Sequence, residues 1–549
     1  MRFLILAFYA LAISAFTFPA SAQSSLDRTD PVQAEDVEEA DEISDLPTAE
    51  STATVAPAPG ADGIKSSYLV SAIIIDGRSA LPVAVFADIV ERYSGRDLSP
   101  GQLEALVNEI ANRARARGYV FATAVIEPQP LSVGLLRIRL DEGIIDEIRI
   151  RGDDDPAIRR QLVPLQSGRP VTLAMLERQI LLAGDISGSF IRRSYYEREN
   201  GRGILVVEAY RSKSDGYVEL ENNGSQPIGP IRARFDLDLN GVVSPTDEID
   251  LTYSTTPLQP KELQYGRVGY RMVVNNSGTE IGGTLSYSAT DPGAYLADRD
   301  VFGKSWQVGF EARHPFIRSR NASLWGEFAL QMRDLRQERE GAVARHDRIP
   351  VVRVGLFSIA EAAGGRFRGR LTYSQGMSIF DATELGDPLA SRDDASAEFS
   401  SLYGWADWSR DLPSDFSIRL VARGQLTTAP LLSTEDLGLG GNSFLRGYNY
   451  SERFGDEGIM GSAELRYDWD NAGGVVRRLQ VYAYVDGGLV GSLGEGRGDG
   501  SLASAGGGFR ANLTRNLYFD AEVAVPLTGP RYDTGDKAPR FNLRLRYRS

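Results

Sequence analysis

Near the C-terminus the segment Gly440-Gly441-Asn442-Ser443-Phe444-Leu445-Arg446-Gly447-Tyr448 carries a single charge, Arg446, among glycine, apolar and aromatic neighbours. A guanidinium is planar, permanently charged and able to fork onto both oxygens of a carboxylate. Flanked by Leu445 and Gly447, with Phe444 and Tyr448 beside it, Arg446 suits a loop that folds back into a cavity and grips an acid. Taken alone, the nine residues fit a glycine-rich surface loop with a solvated arginine. A candidate acid lies further on, where Val481, Ala483 and Val485 alternate with Tyr482, Tyr484, Asp486 and Gly488 at the period of a strand. If the valines face hydrocarbon, Asp486 faces the other side. A charge in lipid at mid-depth costs about 2–4 kcal/mol, less for a carboxylate, so the register is pinned in that sense.

Other chemistry has little material. The 549 residues hold no cysteine, which removes disulfides, thiolate metal sites and cysteine nucleophiles and suits passage through an oxidising envelope. The two histidines, His314 and His346, have no ligand cluster near them in sequence and no recognisable serine pairing, so neither zinc chemistry nor a catalytic triad is expected, and no cofactor is called for. The chain reads as a non-enzyme. A formal charge of -14 argues against nucleic acid as a partner.

The elements that would position Arg446 and Asp486 follow a clear order. Residues 1–22 read as a secretory signal, with Arg2, an apolar run from Phe3 to Phe18, and Ala20-Ser21-Ala22 at the cleavage site. Residues 23–65 form an acidic, proline- and alanine-rich linker, with Glu35, Asp36, Glu38, Glu39, Asp41 and Glu42 in its first part. A short acidic helix over 32–43 would make a plug or tether, and a solvated spacer is the plainer reading. No apolar run is long enough for a transmembrane helix after the signal.

Residues 66–142 and 143–211 then repeat one pattern: strand, two helices, two strands. In the first unit an apolar strand over 69–75 ends at Asp76-Gly77. Its best-marked helix has Ser99 as N-cap, Pro100 at the first position, Gln102 to complete a capping box, an apolar face of Leu103, Leu106, Val107, Ile110, Ala111 and Ala114, and Gly118 as the stop. Two copies of a small α+β unit in tandem resemble POTRA domains.

From residue 212 to 549 helical periodicity vanishes, and segments of about ten residues with alternating hydrophobicity recur between Gly, Pro, Asn and Asp. About sixteen strands can be counted, an even number, with charges of both signs on the polar faces as a wet lumen holds them. The fold class is therefore a transmembrane β-barrel of about 16 antiparallel strands behind two periplasmic α+β units. Numbering outward from the periplasm, segment 427–458, with Arg446, joins strands eleven and twelve and is the sixth external loop. Asp486 lies on the thirteenth strand.

In that setting Leu445-Arg446-Gly447-Tyr448 resembles the [VL]-R-G-Y loop motif of the two-partner secretion transporters, the haemolysin secretion/activation proteins of the ShlB/FhaC/HecB kind. Tyr484-x-Asp486-x-Gly488 is similar to their F-x-D-x-G strand motif, with tyrosine for phenylalanine. Glu221-Asn222-Asn223-Gly224-Ser225 with Gly229 looks like their first hairpin. The chain departs from that pattern at 185–196, which lacks a Gly-Thr-Ser-like run, and at its last residue, Ser549, which leaves Tyr547 as the C-terminal aromatic. The resemblance implies an outer-membrane pore, its N-terminal domains in the periplasm of a Gram-negative bacterium, that exports a large haemolysin- or adhesin-like exoprotein. The POTRA-like units would bind the exoprotein's N-terminal secretion domain, lipid would surround the barrel, and neither nucleotide nor nucleic acid would take part. The alternatives are a barrel-assembly factor of the same superfamily and, further off, a passive porin.

Overall fold

The structure, a computed structural model, describes residues 67–129, 134–472, 476–494 and 498–549. The signal segment and the acidic linker with its helix over 32–43 lie outside the described residues.

In the first α+β unit the capping box at Ser99 is complete: the Ser99 hydroxyl accepts from Gln102 N, and Ser99 N donates to Gln102 Oε1 at 2.8 Å. The helix it opens, Pro100–Ala116, buries Leu103, Leu106, Ile110, Ala111 and Ala114 in the unit's core. The sheet has Leu135–Asp141 in the middle, flanked by Ala72–Asp76 in parallel and Thr123–Ile126 antiparallel. The strand expected over 69–75 is in fact two. Tyr68–Val70 pairs with Arg96–Leu98, and Gly134 O then takes the amides of Ser71 and Ala72 at 2.7 and 3.2 Å, where the chain changes partner. Glu142 closes the unit: its carboxylate accepts from Ser79 N and Oγ (both 2.7 Å), Ala80 N (2.8 Å) and Leu81 N (2.7 Å). Burial works against its charge, but these bonds outweigh burial and hold the carboxyl below its ordinary range.

The second unit repeats the plan, with helices Pro156–Leu162 and Leu173–Gly184 on a sheet whose middle strand is Arg202–Arg211 and whose edges are Glu147–Gly152 and Ser189–Glu199. Phe121 of the first unit stacks on Tyr196 of the second with ring centroids 4.2 Å apart and belongs to the second core, so the pair forms one arm. That arm is docked on the barrel despite the missing Gly-Thr-Ser-like run. Asp185 takes Arg318 Nε at 2.8 Å, while Arg178 Nη2 and Gln161 Nε2 donate to Pro315 O and Asn276 O, each at 2.8 Å.

The barrel closes with sixteen antiparallel strands, from the first, Ser214–Glu221, to the sixteenth, Arg540–Arg548, each paired with its sequence neighbours. Closure runs from Arg544 opposite Glu221 to Arg548 opposite Tyr217. Asn222 extends this seam, accepting from Leu543 N at 2.6 Å and donating to Phe541 O at 2.8 Å. Alternation sorts the side chains: Phe235, Leu237, Val481, Val485, Leu543, Leu545 and Tyr547 point outward, while arginines and carboxylates face in. Both histidines lie within strands, His314 on the sixth (Val301–Arg318) and His346 on the eighth (Ala342–Ala362).

Candidate functional site

The sixth external loop joins the eleventh strand (Phe416–Thr427) to the twelfth (Glu457–Ala472). It does not stand in solvent. A small hairpin, Leu437–Leu439 against Arg453–Gly455, carries its tip into the lumen, where Leu437, Leu439, Phe444, Leu445 and Tyr448 form a buried cluster with Met460, Val490 and Leu502 of the wall. The tip needs unusual backbone: Gly440 and Gly441 have φ of 110° and 123°, and Leu445 is held at 56°, at a cost of about 1 kcal/mol or more. Gly447 touches the wall directly. A Cβ there would lie 2.9 Å from Pro526 N and 3.0 Å from Val525 C.

Arg446 reaches the floor of this arrangement, with 6% of its surface exposed, and Asp486 has none. Its Nε and Nη2 fork onto Asp486 Oδ2 and Oδ1 at 3.1 and 3.2 Å, and its backbone N–H adds a bond to Oδ2 at 3.3 Å. Nη1 meets Glu464 Oε2 at 3.1 Å and Glu522 Oε2 at 3.2 Å, and Nη2 donates to Ser462 Oγ at 3.3 Å. One guanidinium thus ties the loop to the twelfth, thirteenth (Val476–Gly491) and fifteenth (Leu517–Pro526) strands. Its carbon lies 3.2 Å from the centre of the Tyr484 ring. One step down the same strand, Arg510 covers Tyr482 at 4.0 Å and binds Glu464 at 2.9 Å. The two tyrosines have room because strand fourteen (Gly500–Asn512) carries glycine beside each: a Cβ on Gly506 would meet Tyr484 Oη at 2.5 Å, and one on Gly508 would meet Tyr482 Oη at 3.0 Å.

The motif residues singled out in the sequence therefore come together. Leu445 and Tyr448 are buried, with Tyr448 Oη 3.0 Å from Thr528 Oγ1 and 3.1 Å from Gly529 O. Gly488 lets the loop hairpin approach, since a Cβ there would lie 2.9 Å from Leu439 Cδ2. Glu464, Glu522 and Ser462 were not singled out. Inward alternation is the only signal they carry, and every lumen carboxylate shares it.

A second buried pair fixes the loop from outside. Asp456, with no exposed surface, accepts from Arg392 Nη1 of the fifth external loop at 2.8 Å. It also takes Leu431 N of the sixth at 2.7 Å and Leu493 N of the seventh at 2.6 Å. Beneath the loop tip a cavity of about 900 Å³ runs from Arg446 to Asp215 and Arg548 at the periplasmic ends of the first and last strands. Among the described residues the cavity reaches the periplasmic rim, and the sixth loop occupies the outer side of the lumen. Among the described residues no group of three His, Asp or Glu side chains is placed to hold a metal ion.

Comparison with known proteins adds independent findings. A model of the haemolysin secretion/activation protein ShlB/FhaC/HecB matches residues 201–511, and one of the ShlB-type POTRA domain matches residues 68–143. The heme/hemopexin transporter protein HuxB of Haemophilus influenzae is 23% identical over 395 residues, covering 69% of this chain and 68% of its own. The outer membrane transporter CdiB of Dickeya dadantii is 22% identical over 458 residues, 80% of this chain and 79% of its own. Among solved structures, CdiB from Escherichia coli superposes with a TM-score of 0.72 at 20% identity, covering 91% of this chain and 94% of that one. BamA from Haemophilus ducreyi, lacking POTRA domains 1–3, gives 0.52 at 13% identity, covering 88% and 100%.

Proposed function

Since this chain belongs to the haemolysin secretion/activation protein family ShlB/FhaC/HecB, we propose that Arg446 on Asp486 is the conformational lock of a polypeptide-exporting pore, and that the pore serves one large exoprotein. The chain is an outer-membrane transporter of the two-partner secretion type, with its N-terminal domains in the periplasm. The observation that carries the lock is the buried fork: Leu445, Arg446, Gly447 and Tyr448 seat the sixth loop, and Tyr484, Asp486 and Gly488 receive it. Seated, the loop keeps the path ordered and closed to bulk exchange; released, it lets an unfolded chain through.

The unit over 143–211 acts as a second POTRA domain beside the matched first one. Its eleven-residue edge strand Ser189–Glu199 offers unpaired backbone groups to which the exoprotein's N-terminal region adds a strand. Folding outside supplies the drive, with no nucleotide. HuxB is named a heme/hemopexin transporter, and for this chain a haemolysin- or adhesin-like exoprotein fits the same use of the fold.

The test compares secreted and surface proteins from cells with and without this transporter, alongside the abundance of unrelated outer-membrane barrels. Loss of one large exoprotein with other barrels unchanged is the expected result. General depletion of barrels would assign the chain to barrel assembly instead, and no change in either would leave a passive pore.

A further inference from the structure

Across the lumen from the lock, the wall of strands six to eleven is built differently. Trp325 and Phe357, on strands seven (Ala322–Arg339) and eight, and Tyr403 and Trp405, on strand ten (Ser400–Asp411), all point inward, where a wet lumen calls for polar groups. They do not line it bare. Arg313 lies over Trp325 at 4.5 Å and over Phe357 at 5.3 Å, and Arg370 lies over Phe357 at 5.4 Å. Arg368 covers Trp405 at 5.8 Å, and Arg423 spans from Tyr403 (5.9 Å) to Phe444 of the sixth loop (5.4 Å). The Trp325, Phe357 and Trp405 rings are buried, Phe357 to 1%, while Tyr403 is half-buried and the Arg313 and Arg370 side chains keep 37% and 30% of their surface open. Arg313 and Arg370 share one carboxylate, Glu327, at 3.7 and 3.1 Å. On the lock side, by contrast, Arg446 alone meets three.

We propose that this arginine-on-aromatic wall is the surface along which the exported polypeptide moves, extended, with its carbonyl and carboxylate oxygens against guanidiniums held flat by the rings below. The inference rests on the transport reading and specifies the face of the lumen that the cargo uses. The wall is continuous with the cavity below the loop tip, which Trp405, Arg419 and Phe444 line. A folded domain of a hundred residues, with a radius of gyration of about 13 Å, does not fit a space of about 900 Å³, whereas an extended strand does. Every residue of such a strand carries a carbonyl, so donors that ask for nothing more serve any sequence. Stacking pre-orders the guanidiniums, which lowers the entropy lost at each contact. The contacts are numerous and singly weak, as a surface that must also let go requires.

The experiment places a photo-crosslinking amino acid in the full-length transporter, in cells, at position 370 or 405 on the wall, at outward positions 371 and 402, and at position 442 in the sixth loop. The probe is the exoprotein lost from the medium when the transporter is deleted, caught during export. Adducts at 370 and 405 with none at 371 and 402 are expected. An adduct at 442 with none at 370 or 405 would overturn the wall while keeping transport, and no adduct at any lumen position would overturn passage through the lumen itself. In parallel, the double variant Arg313→Gln, Arg370→Gln should export several-fold more slowly at unchanged barrel abundance. Export at the parental rate would refute the role of the guanidiniums.

Discussion

Replacing Arg446 by alanine tests the lock most directly. The change removes one side chain but leaves Asp486, Glu464 and Glu522 facing one another in a site that was nearly dry. Glu464 keeps Arg466 and Arg510, so its loss is partial. Asp486 is left with Ser504 Oγ at 3.4 Å and the amide of residue 446, neither of which carries charge. Removing one partner of a buried ion pair costs about 3–5 kcal/mol, mainly because the other charge is stranded. The seated loop relieves this by leaving and admitting water, so the balance between seated and released loop shifts by roughly two to three and a half orders of magnitude. Because the chain has no cysteine, Ser443→Cys in the lumen-facing tip gives a single site for a maleimide carried on a polymer too bulky to pass a porin. Labelling from outside should be low with Arg446 present and high with Arg446→Ala, with export strongly reduced and the barrel still inserted. Arg446→Lys, which keeps charge but neither forks nor stacks, should fall between. Parental labelling and parental export in the alanine variant would refute the reasoning.

Three further outcomes follow from other contacts. Gly447→Ala should release the loop with Arg446 intact, since its Cβ meets backbone atoms of Pro526 and Val525 that cannot move aside, and labelling of the Ser443→Cys tip would report it. Asp456→Ala removes the carboxylate shared by three external loops and leaves the buried Arg392 with Asp394 and the Leu493 carbonyl alone, so trypsin added to intact cells should cut after Arg392 faster than in the parent. Glu142, held below its ordinary value of 4.5, contributes stability that is full above that value and is lost as the pH falls below it through the folded value. Hydrogen exchange at 79–81 should therefore quicken on acidification, and Glu142→Gln should quicken it already at neutral pH, at a cost of about 2–3 kcal/mol, while flattening the acid dependence.

Much of the architecture was legible because lipid is an unforgiving solvent. One outward charge costs more than a strand can spare, so alternation alone placed Val481 and Val485 outside and Asp486 inside, and counting strands outward from the periplasm put Arg446, after the eleventh, on an external loop. The capping box at Ser99 was legible for a local reason, since both partners lie within one helical turn. What escaped depends on encounters that no local pattern encodes. Glu464 and Glu522 look like any other inward carboxylate until three strands converge on Arg446. The break at Ser71 follows from Gly134 O, on a distant turn, capturing two successive amides. Asp185 sits where the family run is missing, yet it docks the arm through Arg318, a partner 133 positions away.

The seam between the first and last strands sets the order in which this molecule can be completed. Arg546 and Glu219 pair across it though 327 residues separate them, so closure is the least local event in the fold and the slowest to nucleate. Every carboxylate that receives Arg446 is made after it, the last on strand fifteen, one strand short of the seam. Glu464 comes with strand twelve, Asp486 with strand thirteen, and the third acid, Glu522, with the last strand but one. A chain truncated before strand fifteen keeps the fork on Asp486 and the contact with Glu464 but loses Glu522 and the backbone of Val525 and Pro526 against Gly447, so its sixth loop would be held less firmly.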